Sequence, residues 1–363
     1  MMENLPFPII QISAIMSHHL QCVGIDISKQ SFTACICTME SRDSLIYSEV
    51  AHFKNEKSGF NQLLRWTRKH RLEGSSLCFL MEATGVYYEG LAYHLARIQK
   101  QVHVVLPNMS KHYFQSLNVK SKTDKLDARI LARFGVERSH RPWKAPDPAL
   151  IELRNLTRYY VQLQEQKNSL NNIRHSKESS ESVQKFILSR NKKLIREIDK
   201  QIEQCKIKIE ELVNSTEPLK SKAAKILTIK GVGLITVATI IAETLGFREV
   251  RNAKQLTSFA GYDIVERQSG TSVKGRTRIS KKGNRYIRNA LYFPAMVACR
   301  YNPDLKNAYL RIIQKKPSKM IGQVAIQRKL LILIYTLWKK DQEFIPEYKN
   351  RVARGDLTTG YTR

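Results

Sequence analysis

Three stretches of strand-forming sequence follow one another with no helix between them: CVGIDIS, SFTACIC and SLIYSEVAHF, spanning Cys22 to Phe53. They are apolar or alternating, rich in β-branched residues, and separated by short polar turns at Ser28-Lys29-Gln30 and at Glu40 to Asp43, which predicts an antiparallel meander. The period then changes. Glu56 to His70 places Phe60, Leu63, Leu64 and Thr67 on one helical face, and SLCFLMEATG reads as a buried strand ending at Glu82 and broken by Gly85. Tyr87 to Lys100 is expected to be a helix, VHVVLP a short strand closed by Pro107, and KTDKLDARILA (Lys122 to Ala132) the helix beyond.

Three antiparallel strands followed by two helix-linked strands is the order of a ribonuclease-H-like α/β domain. In such a sheet Asp26 lies midway along the first strand, Glu82 ends the fourth, and Asp124 and Asp127 ride on the covering helix. Their spacing of three puts both helical carboxylates on one face, about one turn apart. Alone, that pair reads as a solvated amphipathic face, with its repulsion offset by Lys122, Lys125 and Arg129 or by a divalent metal. Asp26 changes the balance, because it sits between Ile25 and Ile27 in an apolar strand where an unpaired carboxylate is costly. Glu82 alone is a weak signal. Four carboxylates from three separate segments are what a two-metal phosphoryl-transfer site needs, so Asp26, Glu82, Asp124 and Asp127 are the expected metal ligands. His94, His103 and His112 read as packing or surface residues.

The charge points to the partner. Lys and Arg outnumber Asp and Glu by 61 to 32, a net +29 over 363 residues, which a polyanion explains through phosphate neutralisation. Nucleic acid is expected and a membrane is not, since no segment reads as ~18 consecutive apolar residues. The six cysteines, without CxxC pairs or zinc spacing, read as reduced core residues of a cytoplasmic protein. Residues 1–18 read as a disordered extension, with Met1, Met2 or Met16 as the start, and 19–141 as the first domain.

PWKAPDPA, from Pro142, is a Pro-rich hinge. Beyond it, Leu153 to Ile173 keep helical spacing to about Arg174. HSKESSES breaks the pattern, and Leu194, Ile198, Ile202, Cys205, Ile209 and Leu212 then alternate steps of four and three, as in a coiled-coil seam. Residues 142–217 are thus expected to form a helical hairpin. In the mainly helical segment 218–340, LTIKGVGLITVATIIAET sets Gly231 and Gly233 between two apolar runs like a helix-hairpin-helix, whose tight turn lets backbone N–H groups approach a phosphate. Between Arg251 and Arg300 stand eleven Lys or Arg, among them Arg267, Lys281, Lys282, Arg285 and Arg288, against two acids. Within this block Ser269-Gly270 lies on a polar loop. From the residues alone Ser269 contacts phosphate, and Thr271, Ser272 and Ser280 are equal candidates for a nucleophile. Residues 341–363 read as a basic tail.

With GIDISK, MEATGVYYEGLA and KTDKLDARILA at one end and IKGVG, LTSFAGYDIVERQSG and ISKKGNRYIRNAL at the other, the chain resembles the DEDD transposases of bacterial insertion sequences. That family includes Piv-type DNA invertases and bridge-RNA-guided recombinases. The resemblance implies a RuvC-like domain joined by a coiled coil to a transposase domain, with Asp26, Glu82, Asp124 and Asp127 as the Mg²⁺-binding set and Ser269 as the serine that attacks DNA. It also implies a homo-oligomer (dimer or tetramer) in which domains of different subunits meet. Target and donor double-stranded DNA would be chosen by a structured noncoding guide RNA, in a bacterial, nucleoid-associated setting. A junction-resolving nuclease, in which the acids activate water, and a non-catalytic nucleic-acid binder are the alternatives.

Overall fold

The computed structural model describes residues 20–346 apart from 42–43, 122, 182–184, 266–267, 270–272, 275–277 and 316–317, and describes 268–269 and 273–274 by their backbone. The expected extension, Lys122, Arg267, Thr271, Ser272 and the chain beyond 346 lie outside the described residues. Two compact units divide the chain between Ala145 and Pro146.

In the first unit β1 (Leu20–Ile27), β2 (Ser31–Ser41), β3 (Ser44–Tyr47) and β4 (Ala51–Lys54) precede α1 (Lys57–His70). There follow β5 (Ser76–Glu82), α2 (Glu89–Arg97), β6 (Gln101–Val105), α3 (Pro107–Ser116) and α4 (Asp124–Glu137). The sheet runs β3-β2-β1-β5-β6, with β4 also paired to β2. β1 is antiparallel to β2 and parallel to β5, which is parallel to β6. The expected third strand is split in two. Cys37 pairs with Tyr47 and Ala34 with Ala51, so two residues of β2 face three of the other chain segment. Ser48 fills that bulge, its hydroxyl accepting the Ile36 N–H at 2.9 Å. Helix α3 was hidden by Pro107, which reads as a stop but occupies the first helical turn, where its missing N–H costs nothing.

Alternation sorts the sheet into two faces. Val23, Ile25 and Ile27 of β1 pack with Phe60 and Leu63 of α1 and Leu91 and Leu95 of α2. Cys22 packs on the other face with Leu80 of β5, Tyr113 of α3 and Ile130, Leu131 and Phe134 of α4. Burial on both faces is why these strands read as nearly continuous apolar runs. Gly24 lets α4 settle onto β1: a β-carbon there would run into the Ala128 carbonyl and the Ala132 amide. The unit continues past β6, where Trp143 donates its N–H to the Val102 carbonyl at 2.7 Å and its ring meets Tyr93 edge-on.

The second unit opens with α5 (Pro148–Glu178) and α6 (Lys185–Ser215), each of 31 residues. They lie antiparallel, since Cys205 reaches the Leu156 carbonyl, Lys167 pairs with Asp199, and the Asn191 amide meets the Leu170 carbonyl. α5 runs through the expected break at His175, because most of HSKE continues a helix at little cost. The buried edge of α6 passes through Ile195, Ile202, Cys205, Ile209 and Val213, whereas Leu194 is 54% exposed. Next come α7 (Leu219–Leu227), α8 (Leu234–Glu243), α9 (Ala253–Phe259), β7 (Ile264–Val265), β8 (Gln268–Ser269), β9 (Val273–Lys274) and β10 (Arg278–Ile279). Helices α10 (Arg285–Ala290), α11 (Tyr292–Tyr301), α12 (Pro303–Ile313) and α13 (Lys319–Lys340) follow. Ile240 and Ile241 of α8, Ile287, and Leu330, Leu331 and Ile334 of α13 are fully buried in the core they share with the first turns of α5. α13 is long and apolar enough by composition to cross a membrane, but Arg328 and Lys329 interrupt its apolar run, and its apolar side chains furnish this core.

Candidate active site

Strand register brings Asp26 and Glu82 to one level. Ile25 pairs with Met81 across parallel β1 and β5, and Asp26 and Glu82 are the next residue of each strand. Both point to the face that carries α3 and α4, since Asp26 continues the series Cys22, Gly24 and Glu82 continues Cys78, Leu80. α4 runs antiparallel to β1. Its Gly135 lies against Cys22, and Ala128 and Ala132 lie against Gly24, so the helix N-terminus reaches the Asp26 end. Thr123 starts that helix by accepting the Leu126 N–H at 3.2 Å. Asp124 is its first residue and is exposed, whereas Asp127 is buried at 9% exposure. All four acids therefore occupy one end of one face of the sheet.

Glu82 accepts the Ser110 hydroxyl at 2.6 Å and the Thr84 hydroxyl at 3.3 Å. Among the described residues neither Glu82 nor Asp124 forms an ion pair with Lys, Arg or His. Lys125 and Arg129 are exposed, and Arg129 turns away toward the Tyr47 ring, 5.8 Å from its centroid. Four carboxylates without a His or Cys among them suit a hard divalent cation. No three His, Cys, Asp or Glu side chains among the described residues stand close enough to hold a metal ion, so the four acids share a region of the sheet without forming a closed ligand set.

Ser269 lies in the second unit, at the end of β8, paired with Val273 of β9. Inward along the chain, a second short β-ribbon pairs Ile264 with Ile279 and Val265 with Arg278. The foot of the ribbon is clasped. Ser280 donates its hydroxyl to Asp263 at 2.6 Å and its N–H to the Asp263 carbonyl at 2.8 Å, and accepts the Lys282 N–H. That clasp gives Ser280 a structural task. Lys281 takes a left-handed conformation (φ 53°) and donates its N–H to the Gly261 carbonyl, leaving Lys281 and Lys282 exposed beside the ribbon.

Arg285 is exposed, its guanidinium 5.0 Å from the Tyr286 ring centre, while Arg288 donates to the Ala260 carbonyl at 2.7 Å and helps hold α9. Gly231 (φ 92°) makes the turn between α7 and α8, and a β-carbon there would meet Val297 of α11; Gly233 caps α8 with open space around it.

The sequence reading passed over Glu243. This carboxylate, 1% exposed at its side chain, takes two hydrogen bonds from Arg158 of α5, at 2.6 and 2.8 Å, and one from the Asn284 amide at 2.5 Å. The Asn284 carbonyl oxygen caps α10 by accepting the Ile287 N–H. Arg158 also lies over the Tyr286 ring, 4.8 Å from its centroid. One buried acid thus ties the helical hairpin to the segment that carries Lys281, Lys282 and Arg285. The signal was present in LITVATIIAE, an acid closing an otherwise apolar helix.

The family model for DEDD transposases of the IS110 type matches residues 23–176, and the model for transposases of the IS116/IS110/IS902 family matches residues 223–310. The pilin gene-inverting protein of Moraxella lacunata is 30% identical over 324 residues, 89% of this chain and 97% of the relative. Its counterpart in Moraxella bovis is 29% identical over the same shares. Among solved structures, RuvC of Thermus thermophilus is similar to 34% of this chain over 99% of its own length, at 12% identity and a TM-score of 0.26.

Proposed function

The chain belongs to the IS116/IS110/IS902 family of transposases, and from that premise we propose that it is a site-specific DNA recombinase joining an acidic metal site to a serine nucleophile. The placement of Asp26, Glu82, Asp124 and Asp127 at one end of the sheet carries this reading. These acids would hold Mg²⁺, which supplies positive charge to the scissile phosphate when bound. The Ser269 hydroxyl forms the new bond to phosphorus, loses its proton, and displaces one deoxyribose hydroxyl, leaving a phosphoserine link that the reverse attack by another strand end resolves. Lys281, Lys282 and Arg285 neutralise the charge that develops on the phosphate, and Lys125 and Arg129 hold the DNA backbone.

The Gly231–Gly233 turn, as a helix-hairpin-helix, adds backbone N–H contacts to phosphate. Acids and serine belong to different compact units. In keeping with the family resemblance, the chemistry is completed in a homo-oligomer in which units of different subunits meet. The hairpin, acting as a coiled coil, offers exposed Phe186, Leu194 and Ile207 for that assembly. A structured guide RNA selects the target and donor sites, in keeping with a +29 chain whose cations contact phosphate without naming sequence.

Ser269→Ala tests the core of the proposal. Denaturing electrophoresis of cleaved DNA should show protein attached covalently with the parent and none with the variant, while both bind DNA alike. Recombination by Ser269→Ala, or metal-dependent nicking by the parent with no covalent link, overturns the serine and leaves a junction-resolving nuclease.

A further inference from the structure

Beside the β7–β10 ribbon is a groove of about 680 Å³ that it forms with the first turns of α13. Its depth is apolar, made by Tyr262, Ile279 and Val324, and its lip by Ile264 and Ile321, which are 56% and 45% exposed. Arg278, Arg328 and Lys329 stand on its lining, and no carboxylate does. α13 itself contains no Asp or Glu in 22 residues. The Tyr262 hydroxyl is already taken, donating to Gln327 at 2.9 Å. The Tyr262 ring is itself buried at 1% exposure, so the groove offers aliphatic dispersion surface from Ile264, Ile279, Ile321 and Val324, and the rim offers charge for an anion.

A flat apolar body carrying phosphate fits that combination. A second copy of a chain with net charge +29 would bring more cations to a cationic rim, and an apolar peptide would leave the rim without a partner. We infer that this groove receives an unpaired nucleobase of a bound DNA strand, with the adjoining phosphates on Arg278, Arg328 and Lys329. The inference rests on the reading that the chain handles nucleic acid, and it adds a base-holding subsite beside the β7–β10 ribbon. Recognition there is tolerant of base identity, because the surface is shared by every π-face and Tyr262 has no hydrogen bond left to give.

Fluorescence anisotropy with two labelled strands of about 12 nucleotides, oligothymidylate and an abasic strand of equal length, measures the base contribution apart from the phosphate contribution. Full-length parent protein should prefer the base-bearing strand by about tenfold, the effect of taking roughly 55 Å² of apolar surface out of water. Ile264→Ser/Ile321→Ser should lose that preference and keep its affinity for the abasic strand. Arg328→Gln/Lys329→Gln should weaken both strands together. A double-serine variant with the parent's preference overturns the inference, as does one whose only change is in its sedimentation, which would mark the groove as a subunit contact. The lip residues are exposed, so the fold should survive the change, and a urea midpoint equal to the parent's checks this. Asp26→Asn and Ser269→Ala should keep the base preference while losing strand exchange, so failure of the subsite and failure of the catalytic proposal are read separately.

Discussion

Gly24→Ala probes the seam between β1 and α4 that sets the acids at one level. The added methyl would meet backbone atoms of Ala128 and Ala132, so no side-chain rotation relieves it. To restore a carbon contact near ~3.5 Å the whole helix must recede by over ~1 Å. Overpacking of cores costs ~1–3 kcal/mol, and a backbone-on-backbone clash belongs at the upper end. With a urea slope of about 2 kcal/mol/M, a loss of ~3 kcal/mol lowers the midpoint of the first unit by about 1.5 M. The recession also carries Asp124 and Asp127 away from Asp26 and Glu82, and displacement on this scale costs about 10²-fold in rate. Gly90→Ala is the control: its β-carbon would lie 3.5 Å from the Phe60 ring, an ordinary contact, and a helical Gly→Ala change should hold or raise stability by up to ~1 kcal/mol. Urea unfolding followed by circular dichroism, with a strand-exchange assay on the same preparations, separates the two effects. A Gly24→Ala protein with the parent's midpoint and activity would refute the packing argument.

Glu243→Ala should destabilise the second unit by ~2–3 kcal/mol, because it strips the Asn284 amide of its acceptor and empties a buried position, while Arg158, 43% exposed, regains water. Glu243→Gln should lose less, and urea midpoints check the order. For Glu137, burial would raise the pKa, but hydrogen bonds from Tyr113 and Arg133 outweigh it and hold the carboxyl below its usual value near 4.5. A carboxylate depressed in the folded state adds stability that is present above the unfolded pKa and fades as pH falls through the folded one. Tyr113→Phe should therefore be less stable than the parent at neutral pH, with the gap narrowing below about pH 4.5. A gap that stays constant from pH 7 to 3 would locate the cost in packing alone.

The periodicities of the first unit were legible because its strands are buried on both faces and its helices on one. β1, β2, β5 and β6 and helices α1, α2 and α4 follow from apolar spacing. What failed were the points where one residue carries two meanings. Pro107 ends a strand and equally opens a helix, and only the chain's route across β6 decides between them. Ser48 reads as an ordinary strand residue, yet its hydroxyl substitutes for a backbone acceptor and breaks the strand. Leu194 and Ile195 are equally apolar, so the edge of α6 that is buried is fixed by its partner α5, which no local window contains.

The acids of the two units show the same limit from opposite sides. Asp26 and Glu243 each interrupt an apolar element, and burial cost marks both as residues with a task. The mark is identical; the task is set by what surrounds the carboxylate. Glu243 is enclosed by a guanidinium and an amide that consume its lone pairs, so it is a structural tie. Glu82, Asp26's neighbour in register, is only half-buried and is held by two hydroxyls, Ser110 and Thr84. Neutral hydroxyl donors cancel none of its charge, whereas Arg158 cancels that of Glu243. Under the proposed function a carboxylate held by neutral groups would be open to a cation from outside the chain, and this difference in partners, invisible to spacing and composition, distinguishes Glu82 from the structural tie at Glu243.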